Sequence, residues 1–372
     1  MSIRSTIKNK RRWVVKVGSA LLTNDGEGLH RATIINLADQ IAFLRDQGIE
    51  VVLVSSGSVA AGVSQLGMGS RPTRLNDLQA AAAVGQASLV RQYEQAFQPF
   101  NINIAQVLLT HADIANRERY LNAKSTLMRL IELGVLTVIN ENDTVSTEEI
   151  CFGDNDSLGA LVANLVEAEL LVILTDQNGL YTADPRSNPD AKLLHEVSAS
   201  DESLMPMASG GTSLGRGGMV TKLSAAHIAS RSGADTLIAN GRETDILQRL
   251  YKGEILGTLL KASERLSSKK QWMAGHMRIA GKLTIDDGAA AVLQQSGSSL
   301  LPVGLKTVEG DFKRGELVSC VSLSGAEVAR GLCNYSAAEA RSISGLSSEE
   351  IAAKLGYSGD HELIHRNNLV LL

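Results

Sequence analysis

The chain lacks the features that would place it in several large classes of protein. Its 372 residues include only three cysteines, Cys151, Cys320 and Cys333. They are odd in number and form no C-x-x-C pair, which argues against a disulfide framework and against a thiolate zinc site. No uninterrupted apolar run approaches the ~20 residues that a membrane-spanning helix needs. The opening MSIRSTIKNKRRWVVKVGS has charge but no apolar core of the signal-peptide kind. A large excess of one charge is missing as well. With a net charge of -4, 44% hydrophobic residues and 20% charged ones, the chain is neither disordered nor a polycation that coats nucleic acid. There are no internal repeats and no low-complexity tract. These exclusions leave a soluble, cytoplasmic protein, not bound to a membrane, with length enough for two domains.

Both common nucleotide fingerprints are also absent. There is no G-x-x-x-x-G-K-[ST], and no G-x-G-x-x-G between the first strand and helix. HELIH, His361 to His365, matches the H-E-x-x-H pattern of zinc proteases, but Gly356 and Gly359 precede it and little chain follows. A strand with Leu363 and Val370 buried is the simpler expectation, and no metal-binding residues are assigned.

What is present has a clear rhythm. From Trp13 to about Leu260, short β-rich runs (WVVKV, IEVVLV, INIAQVLL, VLTVI, LLVIL, DTLIA) alternate with helical segments such as LNDLQAAAAVGQASLVRQYEQAF and RERYLNAKSTLMRLIEL. Near-continuous apolar strands separated by helices predict an α/β domain with a mainly parallel sheet sandwiched by helices. Such sheets bind ligands outside the carboxyl ends of their strands. The residues to read are therefore Gly18-Ser19, Ser55-Ser56-Gly57, Thr110, Asn140 to Asp143, Thr175-Asp176 and Asn240-Gly241. From Lys261 the composition turns to Ser, Lys and Arg, which marks a linker over 261–277. Short strands follow (GKLTID, GELVSCVSL, AEVARGL), with Ser324-Gly325 as a tight turn between the last two. The expected domains are 1–260 and a small, mainly β unit over 278–372.

Three stretches carry candidate chemistry. After the first strand comes Lys16-Val17-Gly18-Ser19, a lysine beside a glycine that lets backbone N–H groups approach an anion; an ordinary strand-end turn reads the same way. SLGRGGMVTK, Ser213 to Lys222, is a Gly-rich loop running into a helix, which presents free donors and the positive dipole end to an anion, or is a surface loop. Two lysines converging on a phosphate chain suit phosphoryl transfer, where positioning and charge neutralisation do most of the catalysis. The third stretch runs from Ile139 to Gly159: nine of its twenty-one residues are Asn, Asp or Glu, and none is Lys or Arg. Asp154, Asn155, Asp156 and Ser157 precede Leu158, Leu161, Val162, Leu165 and Val166, an i, i+3, i+4, i+7, i+8 face, so they occupy a helix N-terminus. One of them caps it. The surplus carboxylates and amides either belong to a solvated loop or can hold an ammonium group, orient a lysine or bind a carboxylate, which is the equipment for an amino acid.

With these residues assembled, the chain resembles the glutamate 5-kinase branch of the amino acid kinase family, whose members carry a C-terminal PUA domain. The segments that carry the resemblance are VVKVGS, VSSGSVAAG, AAAVGQ, RERYLNAKSTL, VINENDTV, GDNDSLGALVA, LTDQNGLYTADPRSNP and GGMVTKLSAA, then LTIDDGA and GSSLLPVGLKTVEGDFKRGE in the tail. The resemblance implies ATP-dependent phosphorylation of the side-chain carboxylate of L-glutamate, the first step toward proline. It implies that Lys16 and Lys222 neutralise charge on the transferring phosphoryl group and that Asp156 holds the two lysines. It assigns Ser56, Gly57, Asp143 and Asn155 to glutamate, with Asn140 in support. Gly18, Ser19, Thr175, Asp176 and the run Arg216, Gly217, Gly218, Met219, Val220, Thr221 and Lys222 fall to ATP. A small residue is expected at Arg216, whose side chain departs from the pattern.

The resemblance further implies Mg2+ held chiefly by phosphate oxygens and waters. It also suggests a homo-oligomer, proline as feedback inhibitor and channelling to glutamyl phosphate reductase. A carboxylate nucleophile is already ionised at neutral pH, so no catalytic base is required. The alternatives are another activity of the amino acid kinase family (on aspartate, acetylated glutamate or uridylate) or an RNA-binding protein acting through its tail. Between Arg278 and Leu372 there are nine Lys or Arg against eleven Asp or Glu, and the stacking candidates are Phe312, Tyr335 and Tyr357. RNA binding needs a basic face, so little is expected.

Overall fold

The β-branched runs form the strands expected of them. The computed structural model describes residues 3–23, 28–110, 113–114, 116–145, 155–185, 187–201, 203–209, 218–262, 279–296, 298–357 and 359–371. Its first sheet contains β1 (Arg12–Val17), β2 (Glu50–Val54), β3 (Ile104–Leu109), β4 (Leu136–Glu141), β5 (Leu170–Thr175), β6 (Glu196–Ser198), β7 (Asp235–Asn240) and β8 (Thr258–Lys261). The spatial order is β3-β4-β2-β1-β5-β7-β8-β6. Every neighbouring pair is parallel except β7 with β8. Two short strands, β6 at the edge and β8 beside it, do not follow from the apolar pattern. Lys261, expected to open a linker, instead closes β8 opposite Ser198. Residues 263–278, the remainder of that linker and Arg278, lie outside the described residues.

The helices of this part of the chain are α1 (Ser19–Leu22), α2 (Arg31–Asp46), α3 (Ser58–Gln65), α4 (Leu75–Phe97), α5 (Arg117–Glu132), α6 (Asn155–Leu165), α7 (Leu204–Ser209), α8 (Met219–Ser230) and α9 (Ile246–Tyr251). Alternate residues of a strand face opposite sides. Trp13, Val15, Leu53, Val138, Val172 and Leu237 form one buried cluster with Leu37 and Ile41 of α2, Leu89 and Phe97 of α4, and Leu247 of α9. Helix α6 lies against β1 and β5, and α8 against β5 and β7. The sheet is thus covered on both sides, which is why its central strands are apolar throughout.

Strand β1 has β2 on one side and β5 on the other, so the order of strands reverses there. The crevice outside the carboxyl end of β1 is where a parallel sheet of this kind takes a ligand. Gly57 turns the chain from β2 into α3 with φ of 95°, a left-handed conformation that strains other residues. Side chains at Gly62 or Gly85 would run into the carbonyl oxygens of Ala81 and Ser58, so these two glycines let α3 and α4 close on each other.

The chain divides into two units, residues 1–114 with 123–265 and residues 115–122 with 266–372. In the second, β9 (Gly281–Ile285), β10 (Leu305–Gly310), β11 (Leu317–Val321), β12 (Glu327–Leu332) and β13 (Leu369–Leu371) lie in the order β10-β9-β11-β12-β13. Only β9 and β11 are parallel. Gly325, with φ of 85°, makes the turn between β11 and β12. Helices α10 (Asp287–Ser296), α11 (Ala337–Ile343) and α12 (Ile351–Leu355) complete the unit, so it is less purely β than its strand pattern suggests. Ser336 and Glu339 form a reciprocal capping box at the start of α11. Cys320 and Cys333 are free and buried in this core, and burial pushes both thiols up, Cys333 to about 12. Cys151 lies outside the described residues. His361 to His365 is not helical: Leu363 and Ile364 are buried, and Ile364 bridges to Leu300.

Candidate active site

Lys16, near the carboxyl end of β1, and Lys222, in the first turn of α8, meet at one carboxylate. Lys16 Nζ donates to Asp156 Oδ1 at 2.5 Å, and Lys222 Nζ donates to Asp156 Oδ2 at 3.0 Å. All three side chains are buried, Asp156 completely. Asp156 reaches them because α6 begins at Asn155 and packs along β1; Gly159, one turn on, leaves room for the Lys16 stem, 3.3 Å from where a side chain would start. Burial pushes the Asp156 carboxyl up, but the two ammonium groups outweigh it and hold the carboxyl below its ordinary range. One carboxylate thus holds two ammonium groups at a fixed place at the end of the sheet. Ammonium groups placed in this way suit an anionic ligand.

Thr221 also turns to this carboxylate. Its hydroxyl donates to Asp156 Oδ2 at 2.9 Å and lies 2.7 Å from the Gly218 carbonyl. Expected on the nucleotide side, it is also a third donor to the clamp. Met219, Val220, Thr221 and Lys222 form the first turn of α8 rather than the loop before it, with Gly218 as N-cap. Arg216 and Gly217 lie outside the described residues, as do 146–154, which include Asp154.

Other residues assigned to ATP surround the same crevice. Gly18 donates its N–H to Leu174 O at 3.1 Å, and Gly241 donates to Thr175 O at 2.8 Å, tying the ends of β1, β5 and β7 together. Ser19 is exposed at the start of α1. Thr175 Oγ1 donates to Asp176 Oδ1 at 3.1 Å, and Asp176 is exposed.

On the other side of Asp156 the chemistry changes to amides. Asn155 Nδ2 donates to Ser55 O at 2.6 Å, to Asn140 Oδ1 at 2.9 Å and toward Ser56 Oγ at 3.1 Å. Asn140 and Glu141, expected in the loop after β4, are its last two residues, so the strand itself carries Asn140 into the site. Asp143 accepts from Ser58 Oγ at 2.8 Å. Ser56, Gly57, Asn140, Asp143 and Asn155 therefore gather at the carboxyl ends of β2 and β4 and the start of α6.

A model of the amino acid kinase family matches residues 11–240, and a PUA domain model matches 281–355. The chain belongs to the amino acid kinase family. Within it, the chain is 57% identical over 372 residues to "Glutamate 5-kinase" of Pseudomonas entomophila, with 100% of each chain covered. It is 56% identical over 373 residues to "Glutamate 5-kinase" of Saccharophagus degradans, again with 100% of each covered. It thus stands among the glutamate 5-kinases that carry a PUA domain. Among solved structures, a carbamate kinase from Giardia lamblia bound to AMP-PNP covers 69% of this chain and 100% of its own, with a TM-score of 0.51 and 20% identity, a likeness of fold alone.

Three residues to which the motifs assign no role also meet this cluster. Ser58, on α3, orients Asp143. Gln86, on α4, accepts from Asn140 Nδ2 at 2.8 Å. Tyr93, also on α4, shares a 2.9 Å hydrogen bond with Ser55 Oγ, and burial pushes its phenol well up. Gln86 and Tyr93 are polar positions on the buried face of an otherwise apolar helix. That interruption was legible, but what it served was not.

Proposed function

We propose that the chain transfers the γ-phosphoryl group of ATP to the side-chain carboxylate of L-glutamate, giving ADP and L-glutamyl 5-phosphate, the first step of proline biosynthesis. The observation that carries this reading is the Lys16–Asp156–Lys222 clamp lying beside the amide and carboxylate groups of Asn140, Asp143 and Asn155. A carboxylate oxygen of glutamate forms the new bond to phosphorus as the bond from phosphorus to the ADP oxygen breaks. Because that carboxylate is already ionised, no proton moves and no base is needed. The two lysines offset the negative charge on the transferring group, and Asp156 fixes where their ammonium groups stand. Asn155 and Asp143 hold the amino-acid end, Ser56, Gly57 and Asn140 shape it, and the residues around Gly18, Thr175 and Gly218 receive the nucleotide.

Both oxygens of Asp156 are engaged by Lys16, Lys222 and Thr221, and no group of three or more His, Cys, Asp or Glu suited to a metal occurs among the described residues. Mg2+ held chiefly by the phosphate oxygens of the nucleotide and by waters would supply charge neutralisation there. No helix among the described residues is long and apolar enough to cross a membrane. Cytoplasmic placement, a homo-oligomer, proline feedback and channelling to the reductase belong to the same proposal.

The test is ADP release with glutamate, aspartate, acetylated glutamate and uridylate in parallel, with hydroxylamine trapping an acyl phosphate. Release with glutamate alone, together with a hydroxamate, is expected. A preference for another acceptor, or ADP without hydroxamate, would overturn the reading.

A further inference from the structure

The amides beneath the amino-acid side of the site form a chain whose polarity is fixed from one end. The Glu141 N–H donates to Asn140 Oδ1 at 2.9 Å, so that atom is the oxygen and the opposite end of the amide is the donor. Asn140 Nδ2 donates to Gln86 Oε1 at 2.8 Å, which fixes Gln86 in turn. Asn155 Nδ2 points at the same Asn140 oxygen, at Ser55 O and at Ser56 Oγ. The nitrogen of Asn155 is thereby engaged by the protein, and its Oδ1 is the atom left for a ligand. A carbonyl oxygen accepts from an ammonium group; it does not bind a carboxylate.

Gln86 completes this chain at some cost. It is 8% exposed, and its Nε2 is buried without a partner among the described residues. An unpaired buried N–H is unfavourable, and a methionine of similar length would fill the same space without one. What methionine would lose is the oxygen that holds Asn140. Gly85 seats Gln86 here, because its missing side chain lets α4 close on Ser58.

We propose that Gln86 is a positioning residue for the amino-acid substrate: its Oε1 locks the Asn140 amide, which in turn locks Asn155 with its carbonyl oxygen toward the substrate ammonium group. This rests on the reading of the site as a glutamate pocket and adds which atom of Asn155 meets the substrate and what keeps it there. Glutarate, which is glutamate without the ammonium group, separates this role from general damage. In Gln86→Met the KM for glutamate is expected to rise about tenfold, as for loss of a hydrogen bond to a charged group. The inhibition constant of glutarate and the KM for ATP are expected to stay within about twofold, since neither depends on that acceptor. Gln86→Glu keeps an oxygen where Asn140 needs one, and its KM for glutamate is expected to remain within about threefold of wild type. Wild-type turnover of glutamate tests the reading of the pocket, and the split among the three ligands tests Gln86, so either can fail alone. A parallel loss for glutamate, glutarate and ATP, an unmoved glutamate KM in Gln86→Met, or an equal loss in Gln86→Glu would overturn the proposal. If Gln86→Met does not fold, Gln86→Leu, which lacks the oxygen as well, takes its place with the same expected and overturning outcomes.

Discussion

The first turn of α6 serves two regions of the site that could hardly differ more. Asp156 turns to Lys16 and Lys222, a buried cluster of full charges in which every oxygen of the carboxylate has a donor. Asn155, its neighbour in sequence, turns to Ser55, Ser56 and Asn140, a cluster of neutral amides and hydroxyls that ends in a Gln86 donor with no partner among the described residues. One side can stabilise a charge that develops during reaction. The other can read the shape and polarity of a ground-state ligand. The difference teaches that a helix N-terminus can divide rate from recognition between adjacent residues, and that the two should fail separately under mutation.

The largest expected effect lies on the charged side. Lys16→Ala and Lys222→Ala should each lower kcat by about 10² or more at saturating ATP and glutamate, the loss that follows removal of a main transition-state stabiliser. A near-normal kcat would take that lysine out of the mechanism.

Asp156→Asn should come next. It keeps the shape and removes the carboxylate charge between two buried ammonium groups, so kcat should fall by about tenfold to a hundredfold while the KM for glutamate changes little. Removing one partner of a buried ion pair also costs about 3–5 kcal/mol, so thermal unfolding should shift down along with kcat. The sign of the pH dependence follows from the depressed carboxyl of Asp156. Its contribution to stability is fully present above the unfolded carboxyl pKa of about 3.9 and is lost as pH falls through the lower folded value. The wild-type enzyme should therefore show no acid limb from Asp156 between about pH 5 and 8, because the clamp stays ionised there. Denaturant unfolding and kcat profiles across that range check both points.

On the amide side the expected change is in binding. Asn155→Ala and Asp143→Ala should raise the KM for glutamate by about tenfold or more, with the KM for ATP nearly unmoved, since hydrogen bonds to charged groups contribute about 1.5–3 kcal/mol. Equal losses for the two substrates would erase the division between the regions. Ser58→Ala removes only the hydroxyl that orients Asp143 and should raise the glutamate KM by about fivefold, as for a single ordinary hydrogen bond. If it matched Asp143→Ala, Asp143 would work only through that contact.

The smallest effect is expected from RNA. In the second unit Lys282 pairs with Glu309, Lys306 with Asp286, Arg314 with Asp360 and Arg330 with Glu327. Cations already facing carboxylates release few counter-ions on meeting a phosphate backbone. Filter binding of the whole chain to mixed RNA at about 0.15 M salt should show no tight, saturable component. Such a component would give the second unit a ligand of its own.

The sequence by itself determined the parts whose information is local. Near-continuous apolar runs such as WVVKV and LLVIL set the parallel sheet. The 3.6-residue spacing of Leu158, Leu161, Val162 and Leu165 set α6, and the residues before it set what stands at its N-terminus. Motif resemblance then singled out Lys16, Asp156 and Lys222. Tertiary structure decided which atoms meet. That Thr221 serves Asp156, that Asn140 still belongs to β4, that Gln86 meets Asn140 and that Ser58 meets Asp143 depend on how α3, α4, α6 and α8 pack around the carboxyl ends of β1, β2 and β4. No spacing in the chain encodes those meetings, because each hydrogen bond joins side chains whose separation is set by helix crossings and strand order rather than by the residues between them.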